Sequence, residues 1–495
     1  MATLPRCTPE TVGVSSRAIL SFLDAAKSAN GVELHSLMLL KHGKVLFEGY
    51  WNPYRAEHPH TMYSFSKTLT ATAIGLAQAE GLLSVGDRLC GFFEDLMPEN
   101  PSDFLRQITV KDLLTMSCGH GREPPAQEND DFVRNFLAHP MTYAPGTEFI
   151  YNTCGTNMLA ATLKKVTGMS LIEYLKPRLF DPLCMSGDIR CNSAGGGVQM
   201  GGGGFYLRTE DMARLMQLYL QCGVWEGTRI LPEQWVKDAS SAQVPTSGGV
   251  FVGRPDWALG YGYQIWRCQP NGSYRADGAY GQLGIVLPEQ DAVVITTQGS
   301  NDAQASMDLL WTHLIPALSG EAFIPEEDRG MLKRRQSELA LPAVYEAERF
   351  PCEKRIDRQV YFFGENQSTF TPALQAVLWP SANKGIRSIR FSFDADGATL
   401  ELWENGARSN VRLGMCGHWH ESVITDGKNC YRTAGTAAWK GDHVLEALIR
   451  HLETAHSLRC TFTFEGEKVV FEKEETYPMP ISTVDRLEGC LERRI

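Results

Sequence analysis

The chain has 495 residues, enough for two or more domains, and 43% of them are hydrophobic, which permits large cores. A net charge of −11 without any lysine–arginine block argues against a nucleic-acid surface, and no apolar run reaches the length of a membrane span. The 13 cysteines include no C-x-x-C pair and the first ten residues lack the apolar core of a secretion signal, so free thiols in a reducing compartment and a cytoplasmic location are expected.

A first helix is expected over residues 8–29, with Ile19, Leu20, Phe22 and Leu23 on one side. Residues 37–40 and 44–48 read as strands joined by a Lys41-His42-Gly43 turn. A helical run opens at Ser64 and continues to Glu80, where Gly81 offers a left-handed stop. Residues 110–115 read as a short helix. The Ala144-Pro145-Gly146 turn leads into 149–152, and a helix with Met158, Leu159, Ala161 and Leu163 then ends near Gly168. Gly201 to Gly204 precede Phe205-Tyr206-Leu207. Thr209 is expected to cap the next helix, whose apolar stripe is Met212, Leu215, Leu218 and Leu220. Residues 284–287 and 292–296 are strands around a turn at 288–291, and a helix over 305–315 is stopped by Pro316.

Past residue 320 the texture changes. Residues 321–348 are charged and proline-flanked and read as a linker or connecting helix. From 349 to 495, short alternating runs are separated by turns such as Asp396-Gly397, Asn405-Gly406 and Glu465-Gly466. The pattern predicts a β-rich, antiparallel C-terminal domain behind a first domain over 1–320.

Ser64-Phe65-Ser66-Lys67 is the densest chemical signal. A serine and a lysine three apart share one face of a helix. A buried lysine can shed its proton and take one from a neighbouring hydroxyl, which turns a weak alcohol into a nucleophile. The S-x-x-K pattern alone is weak, with roughly one chance match in a chain of this length. Ser381-Ala382-Asn383-Lys384 is a second copy, but Pro380 and Gly385 place it in a loop with no helix to align the pair. Read alone, Ser64 would be a helix cap with a solvated lysine one turn on. The helix that follows decides otherwise. Ala71, Ala73, Ile74, Leu76 and Ala77 make it apolar on nearly every face, so Lys67 is expected to be buried, and buried lysines without a role are rare.

Tyr151 follows the Pro145-Gly146 turn. Beside a serine and a lysine, a tyrosine can relay a proton between nucleophile and leaving group; otherwise it is an ordinary strand-end residue. The segment 274–282, with Asp277, Gly278, Ala279 and Tyr280, runs into the strand at 284. A glycine-bearing strand lets a substrate lie alongside, and its N–H groups can form half of an oxyanion hole; the plainer reading is a β-turn.

Other signals are weaker. Cys416-Gly417-His418-Trp419-His420 lacks the second ligand pair of a zinc site, and His418 and His420 are expected to alternate along a strand. Gly201 to Gly204 match no phosphate-loop pattern and read as a tight turn near the site. His120, after Cys118-Gly119, is expected to end a helix, the other reading being a residue at the edge of the pocket. No G-x-S-x-G elbow occurs, which disfavours an α/β-hydrolase.

Taken together, Ser64-Phe65-Ser66-Lys67, Tyr151 and Ala276-Asp277-Gly278 resemble the motifs of the serine β-lactamase-related hydrolases. The resemblance is chiefly to the class C β-lactamase and family VIII carboxylesterase branch, which also holds D-aminopeptidases and aminohexanoate-dimer hydrolases. It spans roughly residues 8 to 318 by motif order and spacing and leaves the C-terminal part unexplained. It implies an α/β (α+β) fold, with an antiparallel sheet flanked by helices and a helical subdomain. It implies acyl transfer through a Ser64 acyl-enzyme, with Lys67 as base, Tyr151 as relay, and the N–H groups of Ser64 and Ala279 as oxyanion hole. Thr153, Asp277, Gly278 and Tyr280 would meet the substrate, with no metal and no cofactor. How lysine and tyrosine divide the base role stays open.

Two departures from the family pattern bear on substrate. Thr153 replaces the asparagine of Y-x-N, and Ala276 replaces a basic or imidazole residue that helps hold a substrate carboxylate. Arg275 should point to the other face of the strand from Ala276, and Asp277 adds a negative charge. A small neutral ester, or an ester or amide carrying an amine, therefore fits better than an anion, and β-lactamase activity is expected to be weak or absent. No nucleic-acid or membrane partner is expected, and the oligomeric state leaves no mark. The other reading is a non-catalytic ligand-binding protein or pseudoenzyme on the same scaffold.

Overall fold

The structure, a computed structural model, describes residues 3–491 except 125–131, 247–253, 320–325, 347–348, 371–384, 405–406, 426–429 and 477–484. The second S-x-x-K copy, with Ser381 and Lys384, lies outside the described residues, as does Asn405-Gly406. The chain divides into two compact units: Met1–Trp51 with Arg55–Leu339, and Asn52–Tyr54 with Ala340–Ile495.

The first unit runs α1 (Ser16–Ser28), β1 (Leu34–Lys41), β2 (Lys44–Tyr50), α2 (Ser66–Ala79), α3 (Val110–Leu114), α4 (Thr153–Thr167) and α5 (Thr209–Leu220). It continues with β3 (Trp266–Arg267), β4 (Tyr274–Gly278), β5 (Gln282–Leu287), β6 (Ala292–Gln298), α6 (Ala303–Leu309) and α7 (Glu326–Ser337). The strands form one antiparallel sheet in the order β3-β4-β5-β6-β1-β2. Successive side chains of a strand point to opposite faces, and here both faces are covered. Leu37 and Leu39 of β1 pack with Ile19, Leu23 and Met307, while Met38 and Leu40 pack with Phe65, Leu69, Met212 and Leu215. The sheet is thus a wall between α1 and α6 on one side and α2 and α5 on the other.

Several expected boundaries shift. The first helix is broken at Gly13, φ +74°, into a 3-10 turn at Pro9–Val12 and α1. Arg208, not Thr209, is the cap residue of α5: Asp211 accepts its backbone N–H at 3.1 Å, while the Thr209 hydroxyl bonds Ser36 at 2.8 Å. The helix expected to stop at Pro316 runs on through Ile315–Ser319, because proline is tolerated in a first turn. Within 321–348, α7 packs on α1, with ion pairs from Arg17 to Asp328 and from Arg335 to Asp24.

The second unit is a β-barrel of β7 (Val360–Phe363), β8 (Ile386–Phe393), β9 (Gly397–Glu404), β10 (Ala407–Gly414), β11 (His420–Thr425), β12 (Cys430–Trp439), β13 (Val444–His451), β14 (Ser457–Glu465), β15 (Lys468–Glu475) and β16 (Asp485–Leu491). β7 pairs with β16, and a short parallel patch of Leu413 with Gly435 and Gly414 with Thr436 joins β10 to β12. Closure through β10 and β12 covers most of the sticky edge an open sheet would expose, with β11 paired to β12 alone. Phe391, Trp439, Phe462, Phe464 and Phe471 fill the interior; Phe391 meets Phe462 edge-on at 4.9 Å. Only His420 of the Cys416 cluster lies on a strand; Cys416, at φ +56°, and His418 belong to the turn before it. Among the described residues, no three His, Cys, Asp or Glu side chains gather to hold a metal ion, and no helix is long and apolar enough to cross a membrane.

Candidate active site

Ser64 lies in a 3-10 turn, Tyr63–Phe65, that feeds straight into α2, rather than inside the helix itself. Tyr63 carries φ +46°, a conformation non-glycine residues rarely take, and such strain concentrates at functional turns. Within residues 61–69 only Ser64 is partly exposed.

Lys67 is 1% exposed. Its Nζ reaches Ser64 Oγ at 3.1 Å, Thr153 Oγ1 at 3.3 Å and the Gly202 carbonyl at 2.6 Å. An ammonium has three donors, and here three acceptors meet them. Burial brings Lys67 down from 10.5 to about 8, against the opposing pull of Glu123, Cys154 and Asp277.

Tyr151 shares a hydrogen bond with Ser64, and its ring centroid is 4.9 Å from Lys67 Nζ. The ring stacks on Trp266 at 6.0 Å. Burial pushes the phenol well above its ordinary range, with the Ser64 bond pulling the other way. A short second layer stands behind it. The Asn152 side chain caps α4 by accepting Gly155 N–H at 2.9 Å, and its Nδ2 donates to His120 Nδ1 at 3.2 Å. His120 ends no helix. It is fully buried, and burial lowers it to about 4, so it stays a neutral acceptor.

The small polar residues of α2 explain how the glycine run reaches Lys67. Ser66 Oγ accepts Phe205 N–H at 3.1 Å, and Thr70 Oγ1 donates to the Gly201 carbonyl at 2.9 Å. From α4, Asn157 Oδ1 accepts Gly202 N–H at 2.9 Å. A Cβ on Gly202 would fall 2.5 Å from Thr153 Cγ2, so only glycine lets the loop approach this closely.

The end of β4 closes the other side. A Cβ on Gly278 would lie 2.2 Å from the Met62 carbonyl, so the strand abuts the turn that carries Ser64 and brings the Ala279 backbone beside it. Tyr280, at φ +64°, presents its ring edge-on to Tyr63 at 5.3 Å. Arg275 and Asp277 share one face of β4 and pair at 2.8 Å, while Ala276 is buried in the core on the opposite face. Arg275 also donates to the carbonyls of Asp256 and Arg267 at 2.9 and 3.0 Å, with Trp257 at 4.6 Å over its guanidinium. The negative charge expected from Asp277 is therefore compensated by its own neighbour.

The structure thus gathers Ser64, Lys67, Tyr151, Thr153, Asp277, Gly278, Ala279 and Tyr280 around one corner. Sequence reasoning missed three contributors. The Gly202 carbonyl is a backbone atom and leaves no residue signature. Glu123, whose carboxylate accepts the Cys154 N–H at 3.1 Å, lies in a loop. Asn157 could have been found, since it stands one helical turn after Thr153.

A family model described as Beta-lactamase matches residues 24–313. A 6-aminohexanoate-dimer hydrolase of Paenarthrobacter ureafaciens is 24% identical over 285 residues, covering 52% of this chain and 71% of that protein. Lovastatin esterase of Penicillium rubens is 29% identical over 168 residues, 28% of this chain and 41% of that enzyme. A solved structure described as a candidate 6-aminohexanoate-dimer hydrolase from Bacillus anthracis has a TM-score of 0.52 at 22% identity, covering 64% of this chain and 87% of that one, a likeness of fold. The curated relatives are hydrolases, and the first unit has the β-lactamase/transpeptidase-like fold. With the family model covering more than half of the chain, the protein belongs to the Beta-lactamase family.

Proposed function

We propose that the protein is a serine hydrolase that cleaves a small ester or amide through a Ser64 acyl-enzyme, with weak or no action on β-lactams. One observation carries the reading: a buried Lys67 Nζ lies 3.1 Å from Ser64 Oγ, its other contacts fixed by Thr153 and the Gly202 carbonyl. A neutral amine keeps two N–H groups, which those two acceptors hold, and its lone pair is left facing the serine.

In this reading Lys67 takes the Ser64 proton as Oγ bonds to the substrate carbonyl carbon. The N–H groups of Ser64 and Ala279 receive the oxyanion. Tyr151, kept neutral by burial, hands its proton to the leaving oxygen or nitrogen and is reprotonated from Lys67. Water then attacks the acyl-enzyme, the acid leaves, and Ser64 regains its proton. The opposed shifts support the lysine as base and the tyrosine as relay. The names of the relatives support both bond types: one is an esterase, and a dimer of an amino acid is joined by an amide. Ala276 supports the low expectation for β-lactams, since no cation stands there for a substrate carboxylate.

The test is a fluorophosphonate probe followed by peptide mapping, with turnover of a p-nitrophenyl ester in parallel. Labelling at Ser64, and loss of both signals in a folded Ser64→Ala variant, are expected. Turnover that survives Ser64→Ala removes the nucleophile. A wild-type protein inert to probe and ester favours the non-catalytic reading.

A further inference from the structure

The aim of the Lys67 amine depends on where one backbone carbonyl points. Thr153 Oγ1, at 3.3 Å, belongs to a hydroxyl that rotates; the Gly202 carbonyl, at 2.6 Å, is the nearer anchor. Yet Gly202 sits in a run of four glycines, where side-chain sterics restrict nothing. The loop must be held by its hydrogen bonds. The 201–202 peptide is pinned at both ends: Thr70 donates to its carbonyl at 2.9 Å, and Asn157 accepts its N–H at 2.9 Å. The next peptide carries the carbonyl that meets Lys67, and its own N–H, from Gly203, donates to Met200 O at 3.2 Å.

Asn157 is four residues past Thr153, so the two project from the same side of α4. Thr153 meets Lys67 directly, and Asn157 meets it through one glycine. Asn157 is 7% exposed, so no bulk water competes for its oxygen.

We infer that Asn157 is a positioning residue for the hydrolytic step: its side-chain oxygen fixes Gly202, so that the Gly202 carbonyl and Thr153 together aim the Lys67 amine at Ser64. This rests on the reading of Lys67 as the base. The amide supplied at 157 makes up, one turn along, for the hydroxyl that stands at 153.

Two variants separate positioning from bulk stability. Asn157→Leu keeps the volume and removes the acceptor; Asn157→Asp keeps an acceptor whether charged or neutral. The titrating or charged groups that act on Lys67 are Glu123, Cys154 and Asp277, with Tyr151 beside it; neither variant touches them, and because Asn157→Asp adds its own carboxyl to that set, it is compared at the plateau and not by its limb. Rates on a p-nitrophenyl ester are taken per fluorophosphonate-labelled site, from about pH 5.5 to 9.5, alongside thermal melts. Asn157→Leu should lose about ten- to a hundredfold at the plateau, as misplaced catalytic groups do. Its acid limb should also move to lower pH, because the ammonium loses a carbonyl that stabilises it. Asn157→Asp should hold the plateau within a few-fold. Wild-type rate and limb in the leucine variant overturn the inference. So does a loss that follows only the folded fraction with an unmoved limb, or an equal loss in both variants. If the leucine variant yields no folded protein, Asn157→Ala takes its place. Failure of the base reading itself shows separately, as a wild-type rate that stays flat between pH 7 and 9 or a folded Lys67→Ala variant that keeps its turnover.

Discussion

If Lys67 is the base, the rate must follow its neutral fraction, and the structure sets where that fraction rises. A lysine left at 10.5 would be neutral about 0.03% of the time at pH 7; at about 8 it is neutral about 9% of the time, roughly a 300-fold gain. Between pH 7 and 9, kcat/KM for a neutral ester should therefore climb about tenfold, with a midpoint near 8. The lowered value has a stability cost. The fold disfavours the charged amine below about 8, and that cost fades as pH rises from about 8 towards 10.5. Glu123→Gln gives the matching perturbation. The amide oxygen can still accept the Cys154 N–H, now accepted at 3.1 Å, but the negative charge that raises Lys67 is gone. Its acid limb should shift to lower pH. The assay is initial-rate turnover with spontaneous hydrolysis subtracted at each pH, checked by the rate of fluorophosphonate labelling, which isolates attack by Ser64. A flat profile over this range, or a midpoint below about 6.5, would refute a lysine base. A Glu123→Gln limb that stays put would remove the carboxylate from the account.

Tyr151→Phe should slow amide substrates far more than activated esters, because only the poor leaving group needs the proton; equal losses would leave Tyr151 as a packing residue beside Trp266. Among esters of similar size, a neutral acyl group should turn over faster than one ending in a carboxylate, by about tenfold or more at pH 7. Steady-state kcat/KM on a matched pair checks this, and parity between them would show that the pocket ignores substrate charge.

Strand and helix placement in the first unit was legible because burial imposes a period. Leu37 to Leu40 are all apolar since both faces of the sheet are covered, and Ile19 to Leu23 mark the buried side of α1. What local pattern could not carry was the exact end of an element. Arg208 caps α5 because Asp211 reaches back to it, while Thr209 is drawn away by Ser36 across the unit. In the second unit the alternation announced strands, but the parallel contact between β10 and β12 joins residues far apart in the chain. The same divide runs through the site. Ser64, Lys67 and Tyr151 are side chains whose spacing can be read. The Gly202 carbonyl is not a side chain, and the partner of Asp277 is visible only when Arg275, two residues away on the same face, is seen to turn towards it.

The charge balance of the site follows from how few charges remain uncommitted. Arg275 is fully buried and held by Asp277 and two backbone carbonyls, so its charge faces these partners. Ala276 is buried in the core and carries no charge. Among the described residues the cation beside Ser64 is Lys67, and in the proposed reading it works only when neutral. A carboxylate bound near it would raise its pKa and hold it protonated, so an anionic substrate would suppress the base proposed to activate Ser64. A neutral substrate leaves Lys67 at about 8. A substrate with an amine nearby would push it lower still, with Glu123 within electrostatic reach of Lys67. In the proposed reading, the residues that depart from the family pattern therefore do not disarm the site. They remove its means of holding a carboxylate while keeping a buried amine aimed at a serine.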